Sequence, residues 1–391
     1  MSDPQSATDW VTSFEQGDGF KSLMSQVNVH SRVAVGLFEE IAAPDVQKVP
    51  TVSRFLDITA HRLEPVTEEK GVPFWDQSWI TPDLQGLLFG QEEGQPERGT
   101  FLLVDAALRM DVMGVFDLDM IDVPVQSLFN GVASEELQEV APHLIDLSLS
   151  ALALEDGQLV PRFHKDFFKR NWGKSTGIFL RTSASFDELR THLRKFTRMQ
   201  VEGTNEWRYF RFWDPRVTYD YFEYIQNVPH KVRQWFYMRD DAQRIECIIG
   251  DHRGATDAWC ATPRWSNIER MEKSVRPTLS AAEMSFFETS KVERFVRSTR
   301  AWILKNYGTG QEKTDEIDQF VRMQVRLLPA EGIRSEYAQL YVIAGCFLMG
   351  CHVTELPEQM VGILRKERTG QRERSELFLK TILEQRFVSH G

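Results

Sequence analysis

The sequence predicts an α/β fold of the α+β kind: an N-terminal mixed-sheet lobe with helices, followed by an all-helical C-terminal lobe. Two patterns carry this reading. From residue 101, short apolar runs alternate with stretches of helical spacing, as expected of a sheet covered by helices. After Pro277 the spacing is helical almost to the end. The size agrees: 391 residues, 42% of them hydrophobic and 26% charged, suit two or three domains at about 150 residues each.

Residues 1–99 read as an N-terminal extension of unclear fold. Phe20 to Val27 and Val33 to Ile41 are apolar without a clear period. Pro44, Pro50, Pro65, Pro73, Pro82 and Pro96 then exclude long regular elements, and Gly90 to Gly99 reads as a loop.

Residues 100–265 read as the α/β core. Phe101-Leu102-Leu103-Val104 is a buried strand. Ser127-Leu128-Phe129 runs into an Asn130-Gly131 turn. Ser134 opens a short helix that Pro142 ends, and Leu144 to Leu147 and Gly177 to Leu180 are strands. Ser185 and Glu188 form a capping box, and Phe186, Leu189, Leu193 and Phe196 make one apolar helix stripe. Trp207 to Trp213, aromatic on both faces, predicts a central strand stopped by Asp214-Pro215, with a helix from about Arg216 to Tyr224. Val232 to Met238 and Arg244 to Ile249 predict a hairpin.

Residues 266–391 read as the helical lobe. Ser280 and Glu283 open a helix that Gly308 ends. Residues 312–328, 333–353 and 372–387 predict three more, with Pro329 and Pro357 as breaks.

Charge is divided along the chain. Residues 1–160 carry 8 Lys and Arg against 27 Asp and Glu; the remainder carries 38 against 30. Such halves either neutralise each other or present two different faces to partners. No stretch has the roughly 20 apolar residues of a membrane span. The polar start lacks signal-peptide character, and four Cys make no disulfide framework, so a cytoplasmic protein is expected.

Chemistry-bearing motifs are sparse. Gly173-Lys174-Ser175 ends like a phosphate loop, but Phe168 stands where its first glycine belongs. Cys346, Cys351 and His352 lack the i, i+4 convergence of metal ligands, and an apolar setting makes Cys346 a core residue. Asp117, Asp119 and Asp122 are the densest acidic cluster, yet Asp122 and Leu128 replace the Gly and Glu of a calcium loop. Asp251-His252 follows a strand, where adjacent side chains point to opposite faces. An α/β enzyme of hydrolase type, using Asp251 and His252 or the Asp117–Asp122 cluster, is the alternative to a binding protein. The basic and aromatic Trp207–Trp213 run resembles a nucleic-acid platform, but an acidic chain opposes phosphate binding. No metal, cofactor, nucleic acid or membrane insertion is expected.

Several stretches in order resemble one family, the type VI secretion effector adaptors or chaperones catalogued as domain of unknown function number 4123. They are Phe101 to Ala107 with Asp105, Ser127 to Gly131, Ala141 to Leu147, Trp172-Gly173 with Gly177 to Arg181, the basic helix Leu189 to Phe196, and Phe210-Arg211-Phe212-Trp213-Asp214-Pro215-Arg216. Lys174-Ser175-Thr176 is a longer spacer than the family pattern has. The resemblance implies a non-enzymatic protein that binds a toxic effector and helps load it onto a VgrG spike, often with a PAAR tip. Arg211, Trp213, Asp214 and Arg216 are the expected partner-binding residues, with the basic helix face Arg190, Arg194, Lys195 and Arg198 as a second candidate. A groove between the two lobes is the expected place for an effector segment. Asp105, Trp172 and Gly173 are expected to be structural.

Overall fold

A computed structural model of the chain describes residues 54–65, 70–73, 77–105, 122–129, 141–238, 243–251, 254–268, 276–308, 310, 312–366 and 369–390. The chain divides into compact units on either side of the Met284–Ser285 bond.

The unit ending at Met284 is built on a seven-stranded sheet. Its strands are β1 (Leu56–Arg62), β2 (Gly99–Asp105), β3 (Val125–Ser127), β4 (Pro142–Asp146), β5 (Gly177–Thr182), β8 (Ile245–Asp251) and β9 (Asp257–Pro263), in the spatial order β1-β9-β8-β5-β2-β4-β3. Every neighbouring pair is antiparallel. Leu103 lies opposite Leu144 on one side and Ile178 on the other, and Ile249 pairs with both Phe179 and Cys260. The apolar run at 101–104 is thus a central strand, and β1, from the Pro-punctuated segment, closes one edge.

Helices cover both faces, so the inner strands are apolar throughout rather than alternating. On one face Leu102, Val104 and Phe179 share a core with Leu84, Leu88 and Phe89 of α1 (Pro82–Phe89) and with Phe163, Phe167 and Phe168 of α3 (Arg162–Asn171). The short α2 (Ala151–Glu155) precedes α3. On the other face lie α4 (Phe186–Thr197), α5 (Pro215–Ile225) and α6 (Pro229–Phe236). Phe101 meets Phe186 at 6.2 Å between ring centroids, and Trp259 meets Tyr219 and Phe222 at 6.0 and 6.3 Å. Trp235 of α6 stacks on Phe196 at 3.8 Å, with Phe210, Phe212, Tyr221 and Phe222 around it. The capping box expected at Ser185 and Glu188 forms.

A second sheet has the order β10-β6-β7, with β6 (Arg198–Val201), β7 (Trp207–Tyr209) and β10 (Thr278–Leu279). Its β10–β6 pair is the one parallel pair among the described residues.

Two expected elements are corrected. Trp207 to Trp213 is not a central strand: only Trp207–Tyr209 is extended, and it is an edge. Phe210 and Phe212 pack against Tyr221 of α5 and Trp235 of α6 rather than against strand neighbours, and Trp213 is buried beside Phe212, so alternating aromatics mimicked a buried strand. The Val232–Met238 strand is helix α6. Pro229 supplies a helical first turn, and Val232, Trp235 and Phe236 fall on one apolar stripe. Arg244 keeps only an isolated bridge to Tyr237. The apolar stretches at 20–41, the Asn130-Gly131 turn, the Ser134 helix, Asp117, Asp119 and His252 lie outside the described residues.

After α7 (Trp265–Ile268), the chain enters α8 (Ala281–Tyr307) through the expected Ser280–Glu283 capping box, with a Ser280 N–H to Glu283 Oε2 bond of 2.8 Å. The unit beginning at Ser285 holds the rest of α8 with α9 (Thr314–Leu327), α10 (Glu336–Met349), α11 (Glu358–Leu364) and α12 (Gln371–His390). Val296, Ile303, Val321, Ile343, Phe378 and Leu379 are among its core residues, and Cys346 is fully buried there. At Gly345 a β-carbon would stand 2.4 Å from Phe378, so α10 and α12 approach closely only because that residue is glycine. Among the described residues no helix is long and apolar enough to cross a membrane.

Candidate functional site

The ends of three central strands converge. β2 ends at Asp105, β5 begins at Gly177 and β8 ends at Asp251, because Val104 pairs with Gly177 and Ile178 with Gly250. Arg211, between β7 and α5, and Arg216, in the first turn of α5, bring two arginines to this end of the sheet.

Arg211 Nε donates to Asp105 Oδ2 at 2.7 Å, and a second guanidinium nitrogen closes the ion pair. Asp105 is buried, and its backbone N–H donates to Thr176 O at 3.0 Å. Asp214 is the N-cap of α5 and accepts the Arg216 backbone N–H at 3.0 Å. The Arg216 guanidinium grips the same carboxylate with two bonds, Nε to Oδ1 at 2.9 Å and Nη2 to Oδ2 at 2.7 Å. Such bidentate pairing fixes geometry as well as charge. Arg211 and Arg216 remain partly exposed, while Trp213 is buried.

Electrostatics follow from this clustering. Burial raises the Asp214 carboxyl, but Arg216 and Arg211 outweigh it, and the net direction is below the ordinary value. Asp214 raises Arg216, with Asp251 and Asp105 adding to the effect. Asp251 moves the other way. Burial pushes its carboxyl up to about 6, despite a 2.6 Å bond from the Ser175 backbone N–H to Oδ2 and the nearby Arg216. Three carboxylates thus gather at two guanidiniums, and Asp251, buried and without an arginine in direct contact, holds its proton to higher pH than Asp214 does.

The Trp-Gly pair holds the loop that delivers Ser175. Trp172 Nε1 donates to Ala255 O at 2.9 Å. Gly173 has φ +84°, and a β-carbon there would stand 2.5 Å from the Ala255 nitrogen. Ser175 itself has φ 54°. The loop that ends like a phosphate motif is therefore a tight turn against residue 255, whose Ser175 N–H serves Asp251.

The basic helix face is separate from this cluster in its contacts. Arg190 Nε donates to Ser127 O at 2.8 Å and ties α4 to edge strand β3. Arg194 is half-buried and Lys195 exposed. Arg198, on β6, lies over the Trp207 ring at 5.2 Å.

Other polar groups carried no sequence signal. Arg181 reads as one position in an apolar strand, yet its guanidinium donates to Leu87 O and Gly90 O at the C-terminal end of α1. Glu283 accepts from Tyr221 Oη at 2.7 Å and from Lys231 Nζ at 2.9 Å, a buried triad that anchors the start of α8. Only the Ser280–Glu283 box was visible locally. Among the described residues no three His, Cys, Asp or Glu side chains gather as a metal site.

Residues 100–227 match a family model described as a domain of unknown function, DUF4123. The matched span contains Asp105, Trp172, Gly173, Arg211, Asp214 and Arg216. Comparisons with curated proteins and with solved structures found no match. The residues that build the charged end of the sheet, Asp251 apart, lie within the one segment of this chain that is similar to the DUF4123 family.

Proposed function

We propose that this chain is a non-enzymatic adaptor that binds a type VI secretion effector and helps load it onto a VgrG spike, with or without a PAAR tip. The observation that carries the reading is the family match over residues 100–227. The geometry supports it in kind: Arg211 and Arg216 are held by buried carboxylates yet keep part of each side chain exposed, which suits recognition of a protein surface. The chain acts in the cytoplasm before secretion, without a cofactor and without nucleic acid.

The test is co-purification from a host expressing its secretion system, using the full chain with an affinity tag. A toxin and a VgrG protein are expected among the partners. Arg194→Glu with Lys195→Glu, two substitutions outside the buried pairs, is expected to reduce effector capture while leaving the melting temperature unchanged. Recovery of neither protein overturns the adaptor reading. Unchanged capture by the double variant removes the basic face from it.

A further inference from the structure

Strand β7 is an open edge. In the β6–β7 pair Val201 N–H donates to Glu206 O at 2.9 Å, and Phe210 N–H donates to Thr197 O at 3.1 Å. An antiparallel ladder alternates, so Glu206, Arg208 and Phe210 turn their backbone groups toward β6. Trp207 and Tyr209 then turn theirs outward, and among the described residues no strand pairs with that side.

The side chains beside this edge are of one character. Gln200 lies opposite Trp207 and Arg198 opposite Tyr209, so the four share a sheet face. Tyr209 is 67% exposed, the largest value among the exposed apolar and aromatic side chains of the described residues. Arg198 and Arg276 both lie over the Trp207 ring, at 5.2 and 4.6 Å from its centroid. Among the described residues neither has a carboxylate partner. Arg208 on the other face is already paired with Glu206 at 2.7 Å.

We propose that the β7 edge is a docking site for an extended acidic segment of another protein, which adds a strand beside Trp207–Tyr209 and places alternate carboxylates on Arg198 and Arg276. The outward N–H and C=O groups supply backbone pairing, and the arginine–tryptophan stack selects for negative side chains. With so short an edge, the side chains carry much of the selectivity. A second copy of this chain is a poor occupant, because antiparallel pairing of two β7 edges sets like charges against each other. A nucleic acid is also a poor one, because a sugar–phosphate chain leaves the outward backbone groups unpaired. The proposal is independent of the adaptor reading, since its test needs no effector.

The experiment uses the full chain and a short fluorescent peptide alternating Glu and Val, followed by anisotropy at low salt. Saturable binding is expected, with hydrogen-exchange protection of the Trp207 and Tyr209 amides. Three changes are each expected to weaken it by about tenfold or more: Lys in place of Glu in the peptide, N-methylation of its alternate amides, and Arg198→Glu with Arg276→Glu in the protein. The peptide variants keep the test decisive if the protein variant folds poorly. No saturable binding, equal binding of the N-methylated peptide, or tighter binding of an oligothymidylate of the same length would each overturn the proposal.

Discussion

Arg211 Nε meets Asp105 Oδ2 at 2.7 Å although 106 residues separate them in the chain. The pair is asymmetric. The Asp105 side chain is 1% exposed and the Arg211 side chain 31%. Removing the arginine leaves a carboxylate in a water-poor site with its strongest partner gone, whereas removing the aspartate leaves a cation that water reaches. Arg211→Met is therefore expected to cost about 3 kcal/mol and Asp105→Asn only about 1–2 kcal/mol. Chemical denaturation of both variants and the double variant measures the coupling. An equal or reversed order contradicts the asymmetry.

Asp214 serves two structures at once, the N-terminus of α5 and the Arg216 guanidinium. Asp214→Ala removes both and should lower stability by about 2 kcal/mol, while Asp214→Asn keeps an oxygen for the helix and should cost about half as much. Equal losses in thermal melts would show that the cap contributes little.

Asp251 is expected to make the sheet end sensitive to pH. Its folded value of about 6 lies above the ordinary 3.8, so between these values the folded state binds the proton more tightly than the unfolded chain. Stability from this group is then greatest below pH 3.8 and declines as pH rises through 6, by on the order of 3 kcal/mol. Asp251→Asn keeps an acceptor for the Ser175 N–H. It should melt above the wild-type protein at pH 7.5, and the gap should narrow toward pH 4.

His192 works in the opposite direction. Burial pulls its imidazole down to about 4, although its Nε2–H donates to Trp235 O at 2.8 Å. The unfolded chain binds the proton first, so stability present above pH 6.5 is lost as pH falls toward 4, again by on the order of 3 kcal/mol. His192→Gln retains a donor without the titration. Its stability should vary less across that window, and a wild-type slope in the variant would assign the acid sensitivity elsewhere.

Gly173→Ala combines two penalties, a positive φ and a β-carbon 2.5 Å from the Ala255 nitrogen. A loss of about 2 kcal/mol or more is expected, with wider exposure of Trp172 in fluorescence quenching.

What the sequence determined by itself is local. The Ser185–Glu188 and Ser280–Glu283 boxes close within one helical turn, so neighbouring residues suffice to specify them. The run at 101–104 and the stripe from Phe186 to Phe196 carry their burial in their own composition and period, and the ordered motifs over 101–216 carry the family resemblance. The tertiary structure decided the rest. Trp207 to Trp213 has the alternation of a central strand, but whether aromatics are buried by strands or by helices depends on packing that no local pattern encodes. Val232 to Phe236 fits two periods, and Pro229 with the Trp235–Phe196 stack favours the helix. The charged end of the sheet needs the registers of β2, β5 and β8 before Asp105, Asp251, Arg211 and Arg216 become neighbours. Pairing across a sheet is set by the summed burial of whole strands, and a one-residue slip would turn Asp105 or Asp251 to the opposite face, away from the arginines.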